Sequence, residues 1–227
     1  MIVKNIIFDL DNTLYSPTSA MDAGITSRMM QAVADFFGVD MDRAVELRKK
    51  NLPRFSTTLE WLRNEGLTDV EAYFAKVHPG NEADELTPDP SLRPFLESIA
   101  QNKIILTNAP REHADRVLAK LGVADLFSAA IDIRDCGLRG KPYAASYKMA
   151  LQKIGGDIDD TIFLDDQYKY ADGFAALGGT AVLVGNKNGT HLSPDSAVLR
   201  GHGKPPHPGR TVKIDSVYDL PKILPAL

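Results

Sequence analysis

Cysteine is almost absent from this chain: Cys136 is the only one among 227 residues. No intrachain disulfide can form, so the fold must stand on its core, and a reducing compartment is the natural setting. No histidine lies close to Cys136 in sequence to activate it. It therefore reads as a small buried hydrophobe rather than a nucleophile. Tryptophan is as scarce, and the single Trp61 is expected to pack a helical core. No apolar run approaches the roughly 20 residues of a membrane span. The short apolar start is followed at once by acidic residues, unlike a secretory leader. We therefore expect a cytoplasmic protein with no membrane partner. Basic excess is missing too: 26 Lys and Arg against 30 Asp and Glu leave a net charge of −4. No global field gathers a nucleic-acid polymer, so an anionic substrate must be held by local cations.

What is present is a repeated alternation of strand and helix patterns. The apolar start from Ile2 to Phe8 ends in Asp9 and Asp11, with the turn formers Asn12 and Thr13 behind them. An apolar run bounded by turn chemistry reads as a buried strand. Further strand-like runs are Lys103–Asn108, Phe127–Ile133, Thr161–Leu164 and Ala181–Val184, and the tail from Val212 offers a short strand and helix. Helical patterns separate them at 91–101, 110–121, 143–154 and 171–177, several closed by glycine. This alternation predicts an α/β fold with a doubly wound parallel sheet. Between the first strand and Pro88 lie four helical patterns and no strand. The chain thus divides into a core of residues 1–15 and 89–227 and an all-α insertion, 16–88. An insertion at a strand's carboxyl end reads as a lid over the reacting face.

Functional groups collect at strand ends. The first strand ends in Asp9 and Asp11, the second in Thr107 and Asn108, the fourth in Asp165 and Asp166, and Lys141 lies in the loop after the third. Open parallel sheets bind ligands at the carboxyl ends of their strands, so these groups can converge. Carboxylates crowded together raise one another's pKa, and a divalent cation relieves them. An all-oxygen donor set favours a hard ion such as Mg²⁺, which commonly also takes substrate phosphate. Lys141 adds a point charge and Thr107 a hydroxyl donor, so the set suits a small phosphate ester.

Phe8-Asp9-Leu10-Asp11-Asn12-Thr13-Leu14 resembles the first motif of the haloacid dehalogenase superfamily. Thr107-Asn108 resembles its second motif, Lys141-Pro142 its third and Asp165-Asp166 its fourth, in order along nearly the whole chain. The insertion is similar to the helical cap of the family's first cap class. Leu14-Tyr15-Ser16-Pro17, Asp89-Pro90 with Leu92-Arg93, and Thr107-Asn108-Ala109 with His113-Ala114 look like the pyrimidine 5′-nucleotidase branch. The resemblance implies a Mg²⁺-dependent phosphomonoesterase in which Asp9 attacks phosphorus and Asp11 serves as acid and then base. It further implies that Thr107 and the Asn108 backbone bind phosphate and that Lys141 neutralises charge. Asp9, the Asp11 carbonyl and Asp166 would hold the metal, with Asp165 close to the ion or behind its ligands.

One position departs from the family pattern. Where members often carry Asp or Asn four residues beyond the fourth-motif aspartate, this chain has Tyr170. That bears on metal affinity more than on reaction type. Dehalogenation is disfavoured by Asp11, because a halide needs no proton. A phosphomutase, a phosphatase of phosphoglycolate or a sugar phosphate, and a non-catalytic binding protein stay open. Substrate choice is expected from the insertion and first loop, with Tyr15, Arg48, Arg54, Thr57, Thr58 and His78 as candidates and Phe55 or Tyr73 for stacking on a base. Residues 185–210 read as a long loop. His191, His202 and His207 there match no trusted zinc spacing, and Lys187, Arg200, Lys204 and Arg210 are candidates for touching a partner.

Overall fold

The computed structural model describes residues 2–16, 19–185 and 208–227. The chain folds into two compact units, Met1–Pro17 with Pro88–Leu227 and Thr18–Thr87.

The Thr18–Thr87 unit is helical. Helix α1, Ala20–Phe37, starts where the Ser19 side chain accepts the Asp22 N–H, and stops at Gly38, whose φ of 64° is left-handed. Helix α2, Met41–Asn51, is capped by Asp40 and gives way to a short 3₁₀ turn, Leu52–Arg54, containing Pro53. Helix α3, Thr58–Asn64, is capped by Thr57, and α4, Val70–Val77, by Asp69. In each case a side-chain oxygen satisfies an N–H that the first turn leaves over. Trp61 is 1% exposed and stacks on Phe37 with ring centroids 5.3 Å apart.

The other unit is built on a parallel six-stranded sheet. Its strands are β1 (Asn5–Phe8), β2 (Asn102–Leu106), β3 (Ala129–Ile131), β4 (Thr161–Asp165), β5 (Thr180–Val184) and β6 (Arg210–Ile214), in the order β3-β2-β1-β4-β5-β6. Helices α5 (Leu92–Ser98), α6 (Arg111–Leu121), α7 (Ala144–Ile154), α8 (Tyr168–Ala175) and α9 (Leu220–Ile223) complete it. The chain leaves β1 in one direction for β2 and β3 and returns on its other side for β4, so the sheet order reverses at β1. That reversal is where such sheets open a crevice at their strand ends. Every residue of β1, β4 and β5 is buried, as continuous apolar strands covered on both faces require.

Several elements differ in extent from the sequence pattern: β1 starts at Asn5 rather than Ile2, and α5 ends at Ser98 rather than Gln101. The third strand spans Ala129–Ile131 rather than Phe127–Ile133. Asp132 ends it by accepting the N–H groups of Arg111 and Asp135, while the Phe127 and Phe8 rings pack in a T-shape. Helix α8 begins at Tyr168 rather than Ala171, which places Tyr170 in its first turn. The polar loop's His191, His202, His207, Lys187, Arg200 and Lys204 lie outside the described residues, while Arg210 opens β6 and donates to the Leu227 carbonyl.

Candidate active site

Strand register places the motif residues. Phe8 pairs with Ile105 on one side and Leu164 on the other. Asp9, one residue beyond β1, therefore lies between the ends of β2 and β4, and its N–H donates to the Leu164 carbonyl at 2.9 Å. The chain then turns sharply at Asn12, with φ of 63°. Asparagine tolerates that left-handed conformation better than most side chains. The turn brings the Thr13 hydroxyl back to donate to Asp9 Oδ2 at 3.0 Å.

Lys141 joins two strand ends. Its Nζ donates to Asp9 Oδ1 at 2.6 Å and to Asp165 Oδ2 at 2.7 Å, and the residue is 1% exposed. Burial alone would pull the ammonium down, but the charges of Asp165 and then Asp9 outweigh it and hold Lys141 above the ordinary lysine range. For Asp9 the balance tips the other way. Burial raises its carboxyl to about 6 against the attraction of Lys141, with Asp166 and Asp11 adding repulsion. Burial likewise pushes Asp165 up, again against Lys141. One cation thus faces more negative charge than it can neutralise. Asp9, Asp165 and Asp166 each present an oxygen within 4.8 Å of the others. This donor set fits a hard divalent cation. Its members are unequal, since Asp165 already accepts Lys141 on Oδ2 and the Gln167 N–H on Oδ1. Asp166 Oδ2 accepts a side-chain amide hydrogen from Gln167 at 2.8 Å.

The position that departs from the family pattern has a place here. The Tyr170 ring lies 5.1 Å from Lys141 Nζ and the Phe163 ring 5.4 Å. Two aromatic faces favour the ammonium where a carboxylate or amide was expected. Tyr170 thus meets the lysine, which the sequence did not indicate.

Thr107, one residue beyond β2 and 1% exposed, accepts the Ala109 N–H on Oγ1 at 3.0 Å, which leaves the hydroxyl hydrogen as its donor. The Asn108 side chain takes a role that sequence reasoning missed. Its Oδ1 accepts the Lys141 N–H at 2.7 Å and its Nδ2 donates to the Lys141 carbonyl at 2.9 Å. This two-bond clamp fixes the lysine backbone and requires Gly140, where a Cβ would stand 2.0 Å from Asn108 Oδ1. Gly140→Ala should displace the clamp and lower kcat/KM for 4-nitrophenyl phosphate about 100-fold, since small misplacements of reacting groups are costly. Steady-state kinetics beside a melting curve checks this; an unchanged kcat/KM would mean that the clamp does not set the lysine.

Asp11 lies outside the carboxylate cluster, its side chain 29% exposed. Its Oδ1 meets the Tyr15 hydroxyl at 2.6 Å and His113 Nε2 at 2.6 Å. Tyr15, a candidate for substrate choice, is thus bonded to the expected acid. His113 carried a signal of its own. It shares a face of α6 with Val117 and Leu121, and all three are buried. A histidine on an apolar stripe needs a polar partner.

The other candidates are engaged within the helical unit. Arg48 Nε donates to Thr58 Oγ1 at 2.9 Å, Thr57 caps α3, and His78 Nδ1 lies 3.0 Å from Glu82. The Arg54 guanidinium sits 5.7 Å from the Phe55 ring centre. Tyr73 and Phe74 pack edge to face, and both are buried. Two residues quoted for the nucleotidase branch are likewise tied into the fold: Asp89 accepts the Tyr218 hydroxyl, and Arg93 makes a paired contact with Asp125. Cys136 is half-buried, and burial raises its thiol to about 11, out of reach of nucleophilic use.

The haloacid dehalogenase-like hydrolase family model matches residues 3–178, from β1 to the end of α8. The chain belongs to the haloacid dehalogenase-like hydrolases. Solved structures similar to it include L-2-haloacid dehalogenase from Xanthobacter autotrophicus, 16% identical with a TM-score of 0.61 and full coverage of both chains. A phosphatase of the family from Thermococcus onnurineus is 20% identical, with a TM-score of 0.61 and 98% of each chain covered. A putative phosphoglycolate phosphatase from Lactobacillus plantarum is 16% identical, with a TM-score of 0.65, 98% of this chain and all of that one covered. At these identities the likeness concerns the fold. Phosphate metabolism protein 8 of Saccharomyces cerevisiae is 30% identical over 137 residues, which is 55% of this chain and 41% of that protein. The match thus spans less than half of that relative. As a family hydrolase, this chain has the parallel sheet that its strand and helix alternation predicts.

Proposed function

We propose that this hydrolase is a Mg²⁺-dependent phosphomonoesterase working through an aspartyl-phosphate on Asp9, with a nucleoside 5′-monophosphate as its substrate. The observation that carries the phosphomonoesterase part is the pairing of a buried Asp9–Lys141 contact with a second carboxyl, Asp11, on the same turn and already in hydrogen-bond contact with donors; the nucleotide part rests on the resemblance of Leu14-Tyr15-Ser16-Pro17 and Thr107-Asn108-Ala109 to the nucleotidase branch. A halide leaves as a stable anion, whereas an alkoxide needs a proton. Asp11, on the turn beside Asp9, is a carboxyl placed to supply that proton.

In this reading an Asp9 carboxylate oxygen attacks phosphorus as the bond to the leaving oxygen breaks, and Asp11 gives that oxygen its proton. Asp11 then takes a proton from the water that cleaves the aspartyl-phosphate, releasing inorganic phosphate. Lys141 offsets the charge on Asp9 and the phosphoryl group, and the Thr107 hydroxyl donates to a phosphate oxygen. Asp9, Asp166 and the Asp11 carbonyl would hold Mg²⁺, which supplies positive charge against the phosphoryl oxygens. Asp165 acts through Lys141. Phosphoryl transfer asks chiefly for positioning and charge stabilisation, and this set provides both. The reading includes a cytoplasmic setting and no nucleic-acid polymer as partner.

The test is a phosphate-release screen over mononucleotides, sugar phosphates, phosphoglycolate and 4-nitrophenyl phosphate, with Mg²⁺ supplied and then chelated. Release that depends on Mg²⁺ and favours mononucleotides is expected. Equal rates on all esters would sink the nucleotide assignment. Chloride release from 2-chloropropionate without phosphate release would sink the phosphatase reading. Acid should inhibit in a defined direction. Asp9 must be ionised to attack, and its metal-free carboxyl sits at about 6. Below that pH the protonated form accumulates, and kcat/KM falls about tenfold per pH unit. A bound cation favours the ionised form, so raising Mg²⁺ should move the acid midpoint below 6; a midpoint indifferent to Mg²⁺ would contradict this.

A further inference from the structure

Two side chains from separate parts of the core unit converge on one oxygen of Asp11. Tyr15 comes from the loop after β1, and its hydroxyl reaches Asp11 Oδ1 at 2.6 Å. His113 comes from the first turn of α6, and its Nε2 reaches the same oxygen at 2.6 Å. The histidine side chain is fully buried, and its helix runs on directly from the Thr107-Asn108 strand end. Asp11 itself sits on a turn, where a partly exposed carboxyl would otherwise rotate among several orientations. Neither the nucleophile, nor the lysine, nor the metal-ligand set accounts for this pair of contacts.

We propose that Tyr15 and His113 are positioning residues for proton transfer by Asp11. Resting on the phosphatase reading above, this names the groups that aim its acid. Two hydrogen bonds on Oδ1 make that oxygen a poorer proton acceptor than it would be without them. They also hold the carboxyl plane, so the carboxyl delivers its proton in one direction. Against an ionised carboxylate the Nε2 atom carries the hydrogen, which assigns the histidine tautomer. A group that transfers a proton must be held at hydrogen-bond reach of the atom it serves, and a helix-borne side chain holds it more firmly than a loop does. The bond made and broken is one O–H each way: the carboxyl O–H of Asp11 breaks as the leaving oxygen gains the hydrogen, and the electron pair of the P–O bond goes to that oxygen.

The test exploits leaving groups. The kcat/KM value reports only the steps up to release of the alcohol, so the later attack by water does not enter it. An alkyl phosphate such as glycerol 2-phosphate needs the proton; 2,4-dinitrophenyl phosphate does not. His113→Leu and Tyr15→Phe should each lower kcat/KM for the alkyl ester about 10- to 100-fold, with a loss at least about tenfold smaller for the dinitrophenyl ester. His113→Gln, which keeps a donor near the Nε2 position, should restore most of the alkyl-ester rate. Should His113→Leu not fold, Tyr15→Phe carries the same comparison from a less buried position. Equal losses on both esters, or none on either, would overturn the proposal while wild-type turnover leaves the phosphatase reading standing. If the wild-type protein hydrolyses neither ester, both fall.

Discussion

Asp9→Asn is expected to remove phosphate release, by about 10⁴-fold or more, because a nucleophile's loss cannot be shared out among its neighbours. The protein should nevertheless fold as well as before. Asp9 is buried, and its carboxyl is raised from the ordinary 3.8 to about 6. A carboxyl whose folded pKa lies above its unfolded value favours the protonated native state. Its contribution to stability is full below 3.8 and is lost as the pH rises through about 6. At neutral pH in metal-free protein the ionised Asp9 is therefore a cost, only partly offset by Lys141. Asparagine removes that cost and keeps the shape, and Lys141 retains Asp165 at 2.7 Å. Melting curves in chelator at pH 7.5 should show Asp9→Asn within a few degrees of wild type or above it. A marked fall in Tm would mean that Asp9 is a structural ion-pair partner first. Residual turnover within about tenfold of wild type would exclude it as the attacking group.

Lys141→Met should fail in both respects. The ammonium lies between Asp9 and Asp165 in a buried site under two aromatic rings. Removing one partner of a buried ion pair leaves uncompensated charge and typically costs about 3–5 kcal/mol. Here two carboxylates would be left facing each other. Protonation of one relieves them, so the variant's deficit should shrink as the pH falls from 8 towards 5. Added Mg²⁺ should recover part of its stability. Turnover should still fall about 10³-fold, since a cation aimed at developing charge is lost. Lys141→Arg should not restore it, because a planar fork does not fill the place of a compact ammonium donating to both carboxylates. Thermal unfolding across pH, with and without Mg²⁺, read beside kcat/KM, separates the two effects. A melting temperature independent of pH and equal to wild type would show that the lysine is not what holds these carboxylates together.

The sequence by itself determined the strands, most helices and where chemistry could sit. Those features are local. Ile6, Ile7 and Phe8 form an apolar run that must be buried, and Asp9 marks where it stops. Gly38 and Gly122 end helices because their left-handed backbone suits few other residues. Asp9, Thr107, Lys141 and Asp165 could be nominated because a parallel sheet gathers its strand ends along one edge. The short extent of β3 was less legible, because Asp132 ends it through N–H groups of Arg111 and Asp135. Only the tertiary structure decided which group meets which. Lys141 takes Asp165 rather than Asp166, Asn108 spends its side chain on the Lys141 backbone, and Tyr170 rests on the ammonium. Tyr15 and His113 close on Asp11 from positions 4 and 102 residues away along the chain. The physical reason is range. Capping and strand burial are settled within a few residues, whereas ion pairs and clamps depend on side-chain directions that exist only once the sheet has brought distant segments together.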